Sequence, residues 1–228
     1  MSTVRSIAWL SVFCILCWFP VPGRCQQPPQ QKTGVEETTA VEDLMREHGV
    51  LDRLLLIYQE IGWRLAKRKH LPVHALKTAT GIIRSFIQDY HEKLEEEYVF
   101  SALKKSGRIV PVVDTLQKQH EAGRKTIDRI MELEQGGPET DPAEVIQTMA
   151  VFSRMYRPHK AREDTVVFPE FKKILVPSEY KAAGDKFEDK EHQLFGGNGF
   201  EKIVAQVEEL EKELDIYELS QYTPKPQS

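Results

Sequence analysis

Cysteine is scarce in this 228-residue chain, and its placement is informative. Cys14, Cys17 and Cys25 are the three cysteines, and all fall within the first 25 residues. Beyond Cys25 the sequence cannot build a disulfide, an iron–sulfur cluster or thiolate-bound zinc. A long hydrophobic run is also missing. The longest, Ile7 to Phe19 interrupted at Ser11, falls short of the ~20 apolar residues a spanning helix needs. Excess positive charge is missing as well. The 31 basic residues face 35 acidic ones, for a net charge of −4, with no basic stripe suited to nucleic acid. No stretch alternates convincingly with period two, so the pattern offers no strand.

The short apolar run follows Arg5 and precedes Gly23 and Cys25, small residues at −3 and −1 to a cleavage point after Cys25. That is the layout of a secretory signal. Cleavage removes Arg5 and Arg24, leaves a thiol-free and more acidic protein, and suits an oxidising compartment. The expected location is periplasmic or secreted, with no stable membrane association after cleavage. Gln26 to Val35 is polar and proline-bearing, as linkers are. The expected organisation is a signal peptide over 1–25, a disordered linker over 26–38 and a helical bundle over 39–176. A C-terminal helical extension over 177–216 and a tail over 217–228 complete it.

Four long helical segments make the bundle. Thr39-Ala-Val-Glu42 resembles a capping box opening the first. Its apolar stripe is Val41, Leu44, Met45, His48, Leu51, Leu55, Tyr58, Gly62 and Leu65. The second follows Pro72 and stops at Ser106-Gly107. The third runs from near Pro111 to Gly136-Gly137. The fourth opens on Asp141-Pro142-Ala-Glu144, a cap, a first-turn proline and an acid together. Pro158 should kink it, and Pro169 should end its regular part. Helices over about 178–195 and 200–214 follow. Short connections imply antiparallel neighbours, so the fold class is all-α, a four-helix bundle with a helical appendage.

What the sequence does have is a block that occurs twice, 68 residues apart. His91, Glu95, Val99, Phe100, Lys104 and Lys105 recur as His159, Glu163, Val167, Phe168, Lys172 and Lys173. A histidine and a glutamate four residues apart share one helix face. A second echo joins Arg46-Glu47-His48 to Lys118-Gln119-His120, at an offset of 72. Each long helix thus contributes one histidine, and two add a glutamate. The candidate metal ligands are His48, His91, Glu95, His120, His159 and Glu163. Imidazoles with carboxylates suit iron, manganese or zinc rather than copper(I).

With these residues the sequence resembles the haemerythrin-like, HHE cation-binding domains, over about residues 40–175. The resemblance implies an up-and-down four-helix bundle around a non-haem di-iron centre, with two iron ions bridged by Glu95 and Glu163. It implies chemistry with oxygen, peroxide or nitric oxide, with or without turnover, and leaves any electron donor unnamed. Two positions depart from the oxygen-carrying members. Arg124 stands where they place a second histidine on helix three. Their helix-four aspartate falls on Asp164, whereas Glu163 fits the repeat. Four symmetric histidines instead of five put reversible oxygen carriage in doubt. A ferritin-like site is a poor match, because no histidine here has a glutamate three residues before it.

Other residues carry weaker signals. Asp52 and Arg124 occupy equivalent positions and could pair with each other or support the ligands from outside. Glu47, Glu92, Glu96 and Glu121 face solvent or support the ligands. Tyr98 is core or faces the centre. His192 lies outside the four-helix repeat, and it, Glu188 or Glu191 could cap one end of the bundle and reach the site. His70 and His74 read as loop residues.

Overall fold

The computed structural model describes residues 39–137 and 140–224. The expected signal peptide, and the linker up to residue 38, lie outside the described residues. All regular structure within them is helical, and none of these helices is long and apolar enough to cross a membrane.

Helix α1 (Ala40–Ala66) opens on the expected capping box. The Thr39 side chain accepts from the Glu42 amide, and Glu42 accepts from the Thr39 amide at 3.0 Å. Helix α2 (75–106) is wound unevenly. Ordinary turns at Ala75–Ile82 give way to π-turns at Ile83–His91 and again at Glu95–Phe100. It closes on Gly107, whose φ of 71° suits a residue without a Cβ. Helix α3 (Val110–Gln135) follows. Helix α4 (142–174) is capped by the Asp141 carboxylate on the Ala143 amide and contains a π-turn at Glu163–Val167. Helices α5 (Pro177–Phe195) and α6 (Gly199–Glu213) form the appendage.

Two expectations change here. Pro169 does not end α4, which continues to Ile174. The π-turn just before it restarts the winding at Phe168, so the proline sits in a first turn, where its missing amide costs nothing. Met45 is exposed, and the buried face of α1 is broader than one stripe, taking in Glu47, Val50, Leu54 and Ile57. The reason is coverage from several sides. Helix α1 packs on α2 and α4 and also on α5 and α6. Helix α3 packs on α2 and α4. The core between these four helices is rich in aromatic side chains, among them Phe86, Phe100, Phe152 and Phe168.

Candidate metal centre

All six predicted residues meet in one buried cluster. Each is at most 3% exposed, and Glu95, His120 and Glu163 are fully shielded. The rings form two pairs, His48 with His91 and His120 with His159, each with centroids 4.8 Å apart. The two carboxylates lie between the pairs. Glu95 is 3.7, 3.5 and 3.4 Å from the Nε2 atoms of His48, His91 and His120. Glu163 is 3.4, 3.9 and 3.0 Å from those of His48, His120 and His159. Each carboxylate therefore reaches both ring pairs. π-Turns lead up to His91 and set out from Glu95 and Glu163, and such turns re-aim side chains at functional sites.

The other nitrogen of every ring is held from outside. His48 Nδ1 meets Asp164 at 2.7 Å, and His91 Nδ1 meets Glu47 at 2.7 Å. His120 Nδ1 meets Glu96 at 3.2 Å, and His159 Nδ1 meets Gln119 at 2.9 Å. Donation from Nδ1 leaves the inward Nε2 with a free lone pair, the tautomer a metal requires. The partners repeat as the ligands do. Asp164 supports His48 as Glu96 supports His120; Glu47 supports His91 as Gln119 supports His159. Phe168 stacks on His48 at 5.5 Å and Phe100 on His120 at 5.4 Å. The repeated phenylalanine thus walls the lone histidine of a neighbouring helix.

The donor set fits a cation on physical grounds. All four oxygens of Glu95 and Glu163 are buried without a hydrogen-bond donor. Such groups are costly unless something positive meets them. His120 and His159 bring their Nε2 atoms within 3.0 Å of each other. Two lone pairs at that separation repel unless a proton or metal lies between. Titration directions agree. Burial and the facing Glu163 push the Glu95 carboxyl well up. Burial opposes charge on Glu163, but His159 and His48 outweigh it and draw its pKa down. Burial drives His91 well below the ordinary imidazole range and His120 to about 4. Burial also disfavours charge on His48, yet Asp164 and Glu163 hold it at about 9. A divalent ion would replace the proton that His48 and Glu95 hold in its absence, because metal binding requires neutral imidazoles and ionised carboxylates.

The weaker candidates separate cleanly. Asp52 and Arg124 do not pair with each other. Asp52 meets Lys160 at 2.7 Å, and Arg124 clamps Glu92 and Glu96 at 2.6 Å each. These pairs are images under the repeat with their charges exchanged. Arg124 thus occupies the surroundings of His120 and adds no donor to the cluster. Glu92 is buried, and the Tyr156 hydroxyl donates to it. Glu121 is exposed. Tyr98 turns away from the centre and meets Phe187 of α5 edge-on at 5.4 Å. His192 and Glu188 are exposed and do not reach the cluster. Glu191 stops one residue short, beside Glu47. His70 is exposed, and exposed His74 meets Glu213 at 2.9 Å. The supporting role of Gln119 was not singled out in the sequence, although the repeat pairs it with Glu47.

Residues 39–171 match the model of the hemerythrin HHE cation binding domain. Among curated proteins, Uncharacterized protein Rv1995 of Mycobacterium tuberculosis and Uncharacterized protein Mb2018 of Mycobacterium bovis are each 45% identical over 208 residues. The alignments cover 90% of this chain and 80% of each relative. No solved structure matches.

Proposed function

Because the chain belongs to the hemerythrin HHE cation binding domain family, we propose that its buried cluster holds two iron ions within an up-and-down four-helix bundle. In this reading His48, His91, His120 and His159 would hold the ions together with Glu95 and Glu163, the two carboxylates that lie between the ring pairs. The single observation that carries it is the placement of both donor-free carboxylates between two pairs of inward-facing imidazoles. A bridged iron pair supplies reversible one- and two-electron chemistry toward oxygen, peroxide or nitric oxide.

The protein's own groups set the conditions for that chemistry. Glu47, Glu96, Asp164 and Gln119 fix the ring tautomers and orientations. Phe100 and Phe168 keep water from two of the rings. Burial restricts the ligand to a small molecule. The symmetric four-histidine set favours peroxide or nitric oxide handling over oxygen carriage. Sequestration or sensing of iron without turnover is the second reading, favoured by the complete burial of the bridging carboxylates.

Anaerobic ferrous loading of the purified protein tests the reading, with metal analysis and optical spectra on exposure to air, peroxide and nitric oxide. Two ions per chain and ligand-dependent absorption bands are expected; fewer than one ion per chain would sink it. Steady-state consumption of peroxide or nitric oxide separates turnover from sequestration. Export to the periplasm or beyond belongs to the same proposal, and amino-terminal sequencing of the mature protein tests it.

A further inference from the structure

A second group of carboxylates lies beside the cluster, on one side only. Asp43, Glu47 and Glu191 each bring an oxygen within 4.8 Å of the others. Asp43 and Glu47 are one turn apart on α1, and Glu191 comes from α5 of the appendage. Glu47 is fully buried. One of its oxygens holds His91, and the other has no partner. The Tyr90 hydroxyl is an independent sign. Tyr90 is 1% exposed, its hydroxyl makes no hydrogen bond of ordinary geometry, and it faces these same three carboxylates, Glu47 foremost.

The third carboxylate is held deliberately in place. Glu191 accepts from the Phe200 amide at 2.9 Å, where α6 begins. A Cβ on Gly199 would fall 2.8 Å from Glu191 Oε1 and 2.7 Å from Phe195 Cβ, so only glycine leaves room for this side chain. Positive charge from the protein is sparse. Arg46 approaches Asp43 from outside at 3.3 Å. By contrast, Glu92 and Glu96, beside His120, are clamped by Arg124. Burial and the neighbouring Glu47 lift Asp43 to about 7.

We propose that Asp43, Glu47 and Glu191, with the Tyr90 hydroxyl, form a second divalent-cation site adjoining His91 and distinct from the six-residue cluster. Oxygen donors alone select a hard ion such as Mn²⁺, Mg²⁺ or Fe²⁺ over one that prefers nitrogen or sulfur. Partial exposure of Asp43 and Glu191 opens the site to solvent, while buried Glu47 links it to His91. The repeat does not reproduce it. Thr115, Gln119 and Pro158 occupy the positions equivalent to Asp43, Glu47 and Tyr90. Glu191 lies beyond the matched residues 39–171. The site is therefore a feature of this chain's appendage, and it does not depend on which metal fills the buried cluster.

Mn²⁺ titration of the full chain tests this, with free Mn²⁺ followed by its paramagnetic resonance signal and bound metal counted after dialysis. Wild type should hold one more Mn²⁺ per chain than Glu191→Gln, whose affinity for that ion should fall about tenfold or more. Metal in the buried cluster should be unchanged in the variant. Asp43→Asn should repeat the loss, and far-UV circular dichroism checks that both variants are folded. Unchanged stoichiometry and affinity in both folded variants would overturn the proposal. So would equal loss from both places in folded Glu191→Gln, because Glu191 would then act through the main cluster.

Discussion

Gly123 and Tyr156 show how closely α3 and α4 approach beside the cluster. A Cβ at Gly123 would fall 2.0 Å from the Tyr156 hydroxyl oxygen. Gly123→Ala should therefore destabilise the fold by about 2 kcal/mol, as overpacking does. Tyr156→Phe in the same chain should return part of that loss in a denaturant melt. Arg124 gives a second residue-level expectation. Its removal leaves the buried Glu92 carboxyl to Tyr156 alone. Arg124→Ala should cost about 1–3 kcal/mol, measured by chemical denaturation. Glu134 supplies the pH dependence. It is half-buried, lies 2.8 Å from Thr80 Oγ1, and is raised by burial above its ordinary 4.5. The folded form then holds the proton more tightly than the unfolded one. Its contribution is present below pH 4.5 and is lost as pH rises through the folded pKa. Glu134→Gln should melt higher than wild type at pH 7 and equally near pH 4; an equal or lower melting temperature at pH 7 would refute this.

Each long helix carries both a ligand candidate and a support for its neighbour's ring. Asp164→Asn should leave helicity intact but weaken metal binding by roughly 10–100-fold, because His48 loses its charged acceptor. Equilibrium metal titration checks it, and an unchanged affinity would deny Asp164 that role. Much of this arrangement was legible in the sequence. Caps at Thr39 and Asp141 marked helix starts because short polar side chains satisfy free amides locally. The doubled block located the six clustered residues because helical spacing converts a four-residue interval into a shared face. The π-turns were not legible. Their wider winding depends on which side chains the surrounding helices demand, and no local signal marks it. For the same reason Pro169 misled, since a preceding π-turn made it an opening residue. Glu47 and Glu191 were legible as charges but not as neighbours, because only the docking of α5 on α1 brings them together.

Taken together, the described residues join a compact helical core to a cluster whose charges remain partly unbalanced without an ion. Any ligand that binds only the folded state raises its stability, by ~4 kcal/mol at a thousandfold excess over Kd. Iron-loaded protein should thus melt well above chelator-treated protein, and calorimetry of the two forms checks it. The outer charges bear on how the chain recognises itself. The contacts Asp52–Lys160 and Glu92–Arg124 draw only acids from α1 and α2 and only bases from α3 and α4. Two copies of the front half would repel at these contacts, as would two copies of the rear half, while front and rear attract. If two molecules exchanged halves, only the front-to-rear register would match. Asp52→Lys should lower stability by about 0.5 kcal/mol, and adding Lys160→Asp should restore it. The repeat copies its ligands faithfully but inverts these outer charges, so the duplicated halves are written as complementary partners rather than as interchangeable ones.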